Sequence, residues 1–213
     1  MLLTLCAFAL CSFQNKTNMT KEEIELINNG TAQTPFRVLL VTDEADALFL
    51  RRQCRDIEHI EADKDLHFFI ERLKLTMEQE NGIGIAAPQV GLGRNLFLFT
   101  RLDRPEYPVQ VAINPRIVAH SDETMDFEGD GCLSIPDFNG TSLRYRWVDV
   151  EYTDQDGSLH KERLHAGGRG DDYTGVIFQH EYDHLQGILF TDRLVPTPEE
   201  EEQQAFPANS ILK

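Results

Sequence analysis

The chain has 213 residues, 41% of them hydrophobic and 13 of them Phe, enough for one domain with a packed core and free ends. Its formal net charge of −16 argues against direct binding to nucleic acid or anionic lipid. The four cysteines, Cys6, Cys11, Cys54 and Cys132, lack the paired spacing of a zinc ribbon or a secreted disulfide scaffold.

Residues 1–35 read as an N-terminal extension that Pro35 closes. Its apolar stretch LLTLCAFAL has no preceding Lys or Arg and is far too short to span a bilayer. An export signal, a misassigned start upstream of Met19 and a disordered extension are three open readings of it. A folded domain over 36–195 follows, and then an acidic, polar tail over 196–213 that contains EEEE at 199–202.

Within the domain, DKDLHFFIERLKLTMEQE (63–80) repeats Leu66, Phe69, Ile70, Leu73 and Met77 at three- and four-residue intervals, the pattern of an amphipathic helix. Glycines at 82, 84, 91 and 93 then interrupt the chain. Gly82 and Gly84 allow close approach of another backbone, and the alternating Gly82-Ile83-Gly84-Ile85 run is suited to pairing with an extended peptide as an added strand. The stretch lacks the lysine and the strand–loop–helix order of a nucleotide-binding loop. Short strands are predicted at 95–99, 109–113 and 116–120. A hairpin is predicted over 147–164, with Val148, Val150 and Tyr152 on one face and Asp156-Gly157 at the turn. After the glycine-rich connector HAGGRGDD comes a second helix from about Tyr173 to Gln186, started by Asp171 or Asp172 and stopped by Gly187. The order helix, antiparallel strands, helix defines an α+β fold, with mixed, mainly antiparallel sheets around a central HExxH helix.

That helix carries the chemistry. His180 and His184 stand four apart, so both imidazoles reach one ion from the same face, and Glu181 leans over the site without having to bind. Ile177 shares the register of that face and lines any cavity beside it. Admitting His, Glu and His into an apolar helix requires pairing or coordination to offset their desolvation. A third ligand is best sought at Cys132 in GDGCLSIP, since one sulfur and two nitrogens leave a fourth position for water. A lone cysteine in an apolar stretch is commonly just buried, so the residues alone leave both readings open.

Three motifs in order, GIGIAAPQ (82–89), GCLS (131–134) and QHEYDHLQG (179–187), are similar to those of peptide deformylases, and the resemblance extends over roughly Phe36 to Leu194. It implies metal-dependent removal of the formyl group from N-formylmethionyl nascent peptides near the ribosome, in a cytoplasmic or organellar compartment. It implies Cys132, His180 and His184 as ligands of one divalent ion, usually Fe²⁺, with Ni²⁺, Co²⁺ or Zn²⁺ able to substitute. Glu181 matches the catalytic carboxylate. Gln89 and the backbone N–H of Leu133 match the donors to the formyl oxygen, and Gly84 and Gly131 match the cleft walls, beside Gly82 and Ile83.

Three positions depart from the family pattern: Asp130 where Glu is usual, Asn139 where many members place an arginine that binds substrate backbone, and Gly175 where Ala is frequent. Asp130 has a reach shorter by one methylene. Gly175 is expected to weaken its helix by about 1 kcal/mol and to widen the cleft entrance. Two other readings compete: an HExxH endopeptidase, which needs a further ligand downstream, and a catalytically silent binder of blocked peptide N-termini.

Overall fold

The computed structural model describes residues 17–196; the apolar stretch near the N-terminus and the acidic run at 199–202 lie outside them. Residues 17–35, read from sequence as part of an extension, are packed onto the domain. Helix α1 (Lys21–Asn28) starts in a capping box, in which Thr20 Oγ1 accepts the Glu23 N–H at 3.3 Å and a Glu23 carboxylate oxygen accepts the Thr20 N–H at 2.8 Å. Ile27 is fully buried, and the buried Arg94 holds both Glu23 oxygens at 2.9 and 2.6 Å. The Thr20–Glu23 spacing ahead of Ile24 and Ile27 was the available signal for this helix.

A short helix, α2 (Glu44–Leu50), follows its Asp43 cap, and α3 (Lys64–Gln79) follows Asp63, whose carboxylate accepts the Leu66 N–H at 3.0 Å. The five apolar residues that define the α3 pattern are all buried. Seven strands come next: β1 (Gly84–Ala86), β2 (Leu96–Thr100), β3 (Val109–His120), β4 (Thr124–Cys132), β5 (Ile135–Tyr145), β6 (Trp147–Thr153) and β7 (Leu159–His165). Helix α4 (Thr174–Leu185) carries the HExxH residues.

Strands β1-β2-β3-β6-β7 form one antiparallel sheet of five, and β4-β5 form a separate hairpin. The two strands expected at 109–113 and 116–120 are one strand, β3, whose pairing with β6 shifts between Ile113 and Arg116. Asn114 takes a φ of 51° there, and its side chain bonds both the N–H and the C=O of Ile57 at 2.8 Å, so the irregularity is a fastened bulge and not a break.

Strand β2 lies at the centre of the core and is buried on both faces. Leu96 and Leu98 meet Leu66, Phe69 and Leu73 of α3, while Phe97 and Phe99 meet Phe178 and Leu185 of α4. The Phe97 and Phe99 rings stand edge-on to Phe178 at 4.9 and 5.3 Å. Helix α4 thus turns one side to the sheet and the other to the β4–β5 hairpin, and the site forms in that second seam.

Both ends of α4 are fastened. Asp172 accepts the N–H and the hydroxyl of Thr174 at 2.9 and 2.6 Å. At the other end Gly187, with φ of 72°, closes a double return: its N–H reaches the His184 carbonyl at 3.2 Å and the Ile188 N–H reaches the Asp183 carbonyl at 3.0 Å. The expectation that Gly175 opens the cleft is corrected. Gly175 is buried against β7, where a Cβ would stand 2.6 Å from the His165 carbonyl oxygen, so the glycine lets α4 close onto the sheet.

Candidate metal centre

His180 and His184 project from α4, and Cys132 ends β4 at a two-residue turn, since it pairs directly with Ile135. The topology brings one ligand atom from each of these residues within 4.8 Å of the others. The Cys132 Sγ lies 3.2 Å from His184 Nε2. Asp130, two residues before the cysteine, accepts the Nδ1–H of His180 at 2.9 Å. That bond fixes the tautomer and leaves the His180 Nε2 lone pair for coordination. Burial, the largest effect, holds His184 well below the usual histidine range, which leaves the ring neutral with a lone pair for a metal. A soft sulfur, two imidazoles and a hydrogen-bonded support fit one divalent transition metal.

Asp130 is itself held. Its second oxygen accepts from Arg144 Nη2 at 2.7 Å and from the Ser142 hydroxyl at 2.6 Å. Arg144, 2% exposed, also donates to Asp183 on α4 at 2.8 Å, and Asp183 pairs in turn with Arg193. Burial works against ionising Asp130, but these donors, His180 foremost, hold its carboxyl well below the usual carboxylate range. The aspartate therefore spans the distance despite its shorter side chain.

Glu181 is 4% exposed, and its Oε2 has no hydrogen-bond partner within the protein. Burial pushes its carboxyl up to about 7. Gly84 makes room for it: a Cβ there would come within 2.9 Å of the Glu181 Cγ and Cδ. The sequence assigned Gly84 to peptide approach; the structure adds that the glycine clears space for this carboxylate. Gly131 likewise lies under the Asn139 side chain, its cross-strand neighbour in β5.

Gln89 has its orientation decided by the backbone. Its Oε1 accepts the Ala86 N–H at 2.8 Å, which turns the amide NH₂ toward Cys132 Sγ at 3.5 Å and Ser134 Oγ at 3.3 Å. Leu133 packs its side chain against the α3 side of the core. These residues open on a cleft of about 450 Å³, whose walls include Gly82, Ile83, Gly131, Leu133 and Ile177. Sequence reasoning missed Phe127, Tyr173 and Arg169, which also line it; no periodicity marks them, because they come from the irregular hairpin and the connector.

The fold and the site define a metal-dependent hydrolase with an HExxH helix and a cysteine sulfur beside its two histidines. A family model described as polypeptide deformylase matches residues 37–200. Peptide deformylase 2 of Nostoc sp. is 40% identical over 172 residues, covering 76% of this chain and 91% of that one. The crystal structure of peptide deformylase from Thermotoga maritima superposes with a TM-score of 0.66 at 31% identity, covering 76% of this chain and 99% of that one. A class I type b peptide deformylase from Acinetobacter baumannii with Met-Ala-Ser bound superposes with a TM-score of 0.65 at 29% identity, covering 76% and 99%. The chain belongs to the peptide deformylase family.

Proposed function

We infer that the chain hydrolyses the N-terminal formyl amide of N-formylmethionyl peptides and releases formate. The observation that carries this is the cluster of Cys132, His180 and His184 donors beside a cleft whose wall includes Cys132, His180 and Glu181, the last with a buried, unpartnered oxygen. We assign the three donors as the ligands of one divalent ion. Fe²⁺ is the ion the family resemblance implies, and Ni²⁺, Co²⁺ or Zn²⁺ suit the same donor set. Such an ion supplies Lewis-acid polarisation of the carbonyl and acidifies water.

The protein's own groups do the rest. Glu181, raised by burial, takes a proton from the attacking water and returns it to the departing nitrogen. Gln89 aims its NH₂ at the place where the formyl oxygen becomes charged, and the Leu133 N–H is the second donor; one such donor contributes about 3 kcal/mol. The apolar wall at Ile177 receives the methionine side chain, and the Gly82–Gly84 edge pairs with the peptide backbone. The substrate belongs to a bacterial or organellar translation compartment. Among the described residues no helix is long and apolar enough to cross a membrane.

The endopeptidase reading needs a further ligand from downstream. Asp192, the downstream carboxylate nearest the helix in sequence, is instead ion-paired with Arg51. Formate release from formyl-Met-Ala-Ser, measured beside a blocked peptide without a formyl group, tests the assignment. Glu181→Ala is expected to keep its metal by elemental analysis and to lose about 10²–10⁴-fold in kcat. Absence of turnover by metal-loaded wild-type protein overturns the reading in favour of a silent binder.

A further inference from the structure

Arg169 lies in the connector between β7 and α4, on a stretch bracketed by Gly167, Gly168 and Gly170. It is exposed and lines the cleft. Its Nε donates to the Glu128 carbonyl at 3.1 Å, and its Nη2 donates to the Gly129 carbonyl. The guanidinium carbon stands 5.4 Å from the centroid of the Phe127 ring. Gly129, with φ of 71°, gives β4 the local turn that presents these acceptors. Two carbonyls and an aromatic face therefore hold a planar cation in one place, and Nη1 lies outside both hydrogen bonds.

The surrounding charge makes that placement informative. The other formally charged side chains lining the cleft are Glu80, Asp130, Asp137 and Glu181, all acidic. Asp130 is engaged by Arg144 and His180, while Glu80 and Asp137 are exposed at the rim. Arg169 is the one Lys or Arg among the described residues of the cleft wall. A molecule of net charge −16 thus places a fixed positive group where an incoming peptide passes. On the β5 side of the same cleft stands the neutral Asn139.

We propose that Arg169 is a specificity-determining residue that selects formyl peptides bearing a carboxylate side chain shortly after the methionine. The peptide carboxylate pairs with the guanidinium edge left open by the two carbonyls, in a charge-assisted hydrogen bond. This rests on the deformylase reading and adds a preference that the ligand cluster alone does not contain.

The test uses full-length, metal-loaded protein and C-terminally amidated formyl-Met peptides that differ only in placing Asp, Asn or Lys at the second, third or fourth position. For at least one position the Asp peptide is expected to show a KM about fivefold below that of the Lys peptide, with similar kcat. Raising NaCl from about 0.05 to about 0.5 M is expected to shrink that ratio. Arg169→Gln is expected to bring the ratio to unity, and Arg169→Lys to restore part of it. A merely structural role would slow all peptides alike and leave the ratio intact, which overturns the proposal. Equal KM values for the three peptides in wild type also overturn it. Calorimetric binding of the corresponding unformylated Met peptides reads the same charge preference without turnover. If no formyl peptide is hydrolysed, the binding ratio still decides the role of Arg169 separately from the activity.

Discussion

The β6–β7 hairpin pairs residue for residue from Trp147–His165 to Thr153–Leu159, whereas β4–β5 shifts register between Phe127 and Asp130 and again between Gly131 and Cys132. In the first, Val148, Val150 and Tyr152 alternate into the core, and ion pairs such as Asp149–Arg163 and Glu151–Lys161 lie on the outer face. In the second, few positions are buried, and those include Asp130, Ser142 and Arg144. Regular pairing serves a hairpin that only has to cover a core. The irregular one places Asp130 against His180 and Cys132 against His184, which a strict two-residue alternation has no need to do.

The largest expected effect therefore falls on the irregular hairpin. Asp130→Asn removes the charge that Arg144, almost fully buried, shares with Asp183, and weakens the support of His180. Breaking one side of a buried ion pair is expected to destabilise the protein by about 3 kcal/mol. With His180 as a ligand, as proposed above, loss of its outer support is expected to weaken metal binding about 10–100-fold. Urea unfolding and a metal-competition titration check the two. An Asp130→Asn protein with wild-type midpoint and wild-type metal affinity would place the organising force elsewhere.

This difference also explains what could be read beforehand. Helix α3 follows apolar spacing and its Asp63 cap, α4 is bounded by Asp172 and Gly187, and β6–β7 follows alternation around Asp156-Gly157; in each the decisive partners are near in sequence. Cys132 emerged through motif resemblance, because β4–β5 is rich in Gly, Asp and Asn and has no strand-like alternation. The reach of Arg144 from Asp130 to Asp183 joins residues 14 and 39 positions apart, so no local pattern encodes it. The hold of Arg169 on the Glu128 and Gly129 carbonyls, across 41 and 40 residues, is equally silent. Helix α1 is a different case: its capping box was written in the sequence but lay within a stretch read as an extension.

A second experiment addresses the join between the regular hairpin and the metal helix. Helix propensity favours Gly175→Ala by about 1 kcal/mol. The structure reverses the sign, since the new Cβ would meet the backbone of His165 and Leu164 at 2.6–3.0 Å, and backbone atoms in a paired strand do not swing aside. Overpacking of this kind is expected to give a net loss of about 2 kcal/mol. In a protein of this size that lowers Tm by about 5 °C. Thermal unfolding at fixed metal content measures it, and a raised Tm would show that α4 has slack against β7.

The smallest effect belongs to the regular hairpin itself and is a matter of pH. Glu162 on β7 accepts from Arg101 at 2.7 and 2.8 Å and from the Tyr152 hydroxyl at 2.8 Å; Arg104 lies 3.4 Å away, and Asp103 shares Arg101. Burial opposes ionisation of Glu162, but the hydrogen bonds from Arg101 and Tyr152 and the nearby positive charge outweigh it, so its folded pKa is lowered. The unfolded chain, at an ordinary glutamate pKa of about 4.3, therefore takes up the proton first as pH falls. The stabilisation is complete well above that value, fades through it, and is gone below the folded pKa. Glu162→Gln is expected to lower stability by about 1 kcal/mol at neutral pH, with the gap to wild type narrowing between about pH 5 and pH 3. Deformylation by the variant is expected to match wild type within about twofold, because Glu162 lies outside the cleft wall. A gap that stays constant across that pH range would mean that packing of the β7 side chain, and not its charge, supports this hairpin. A large loss of turnover would dissolve the division of labour between the two hairpins.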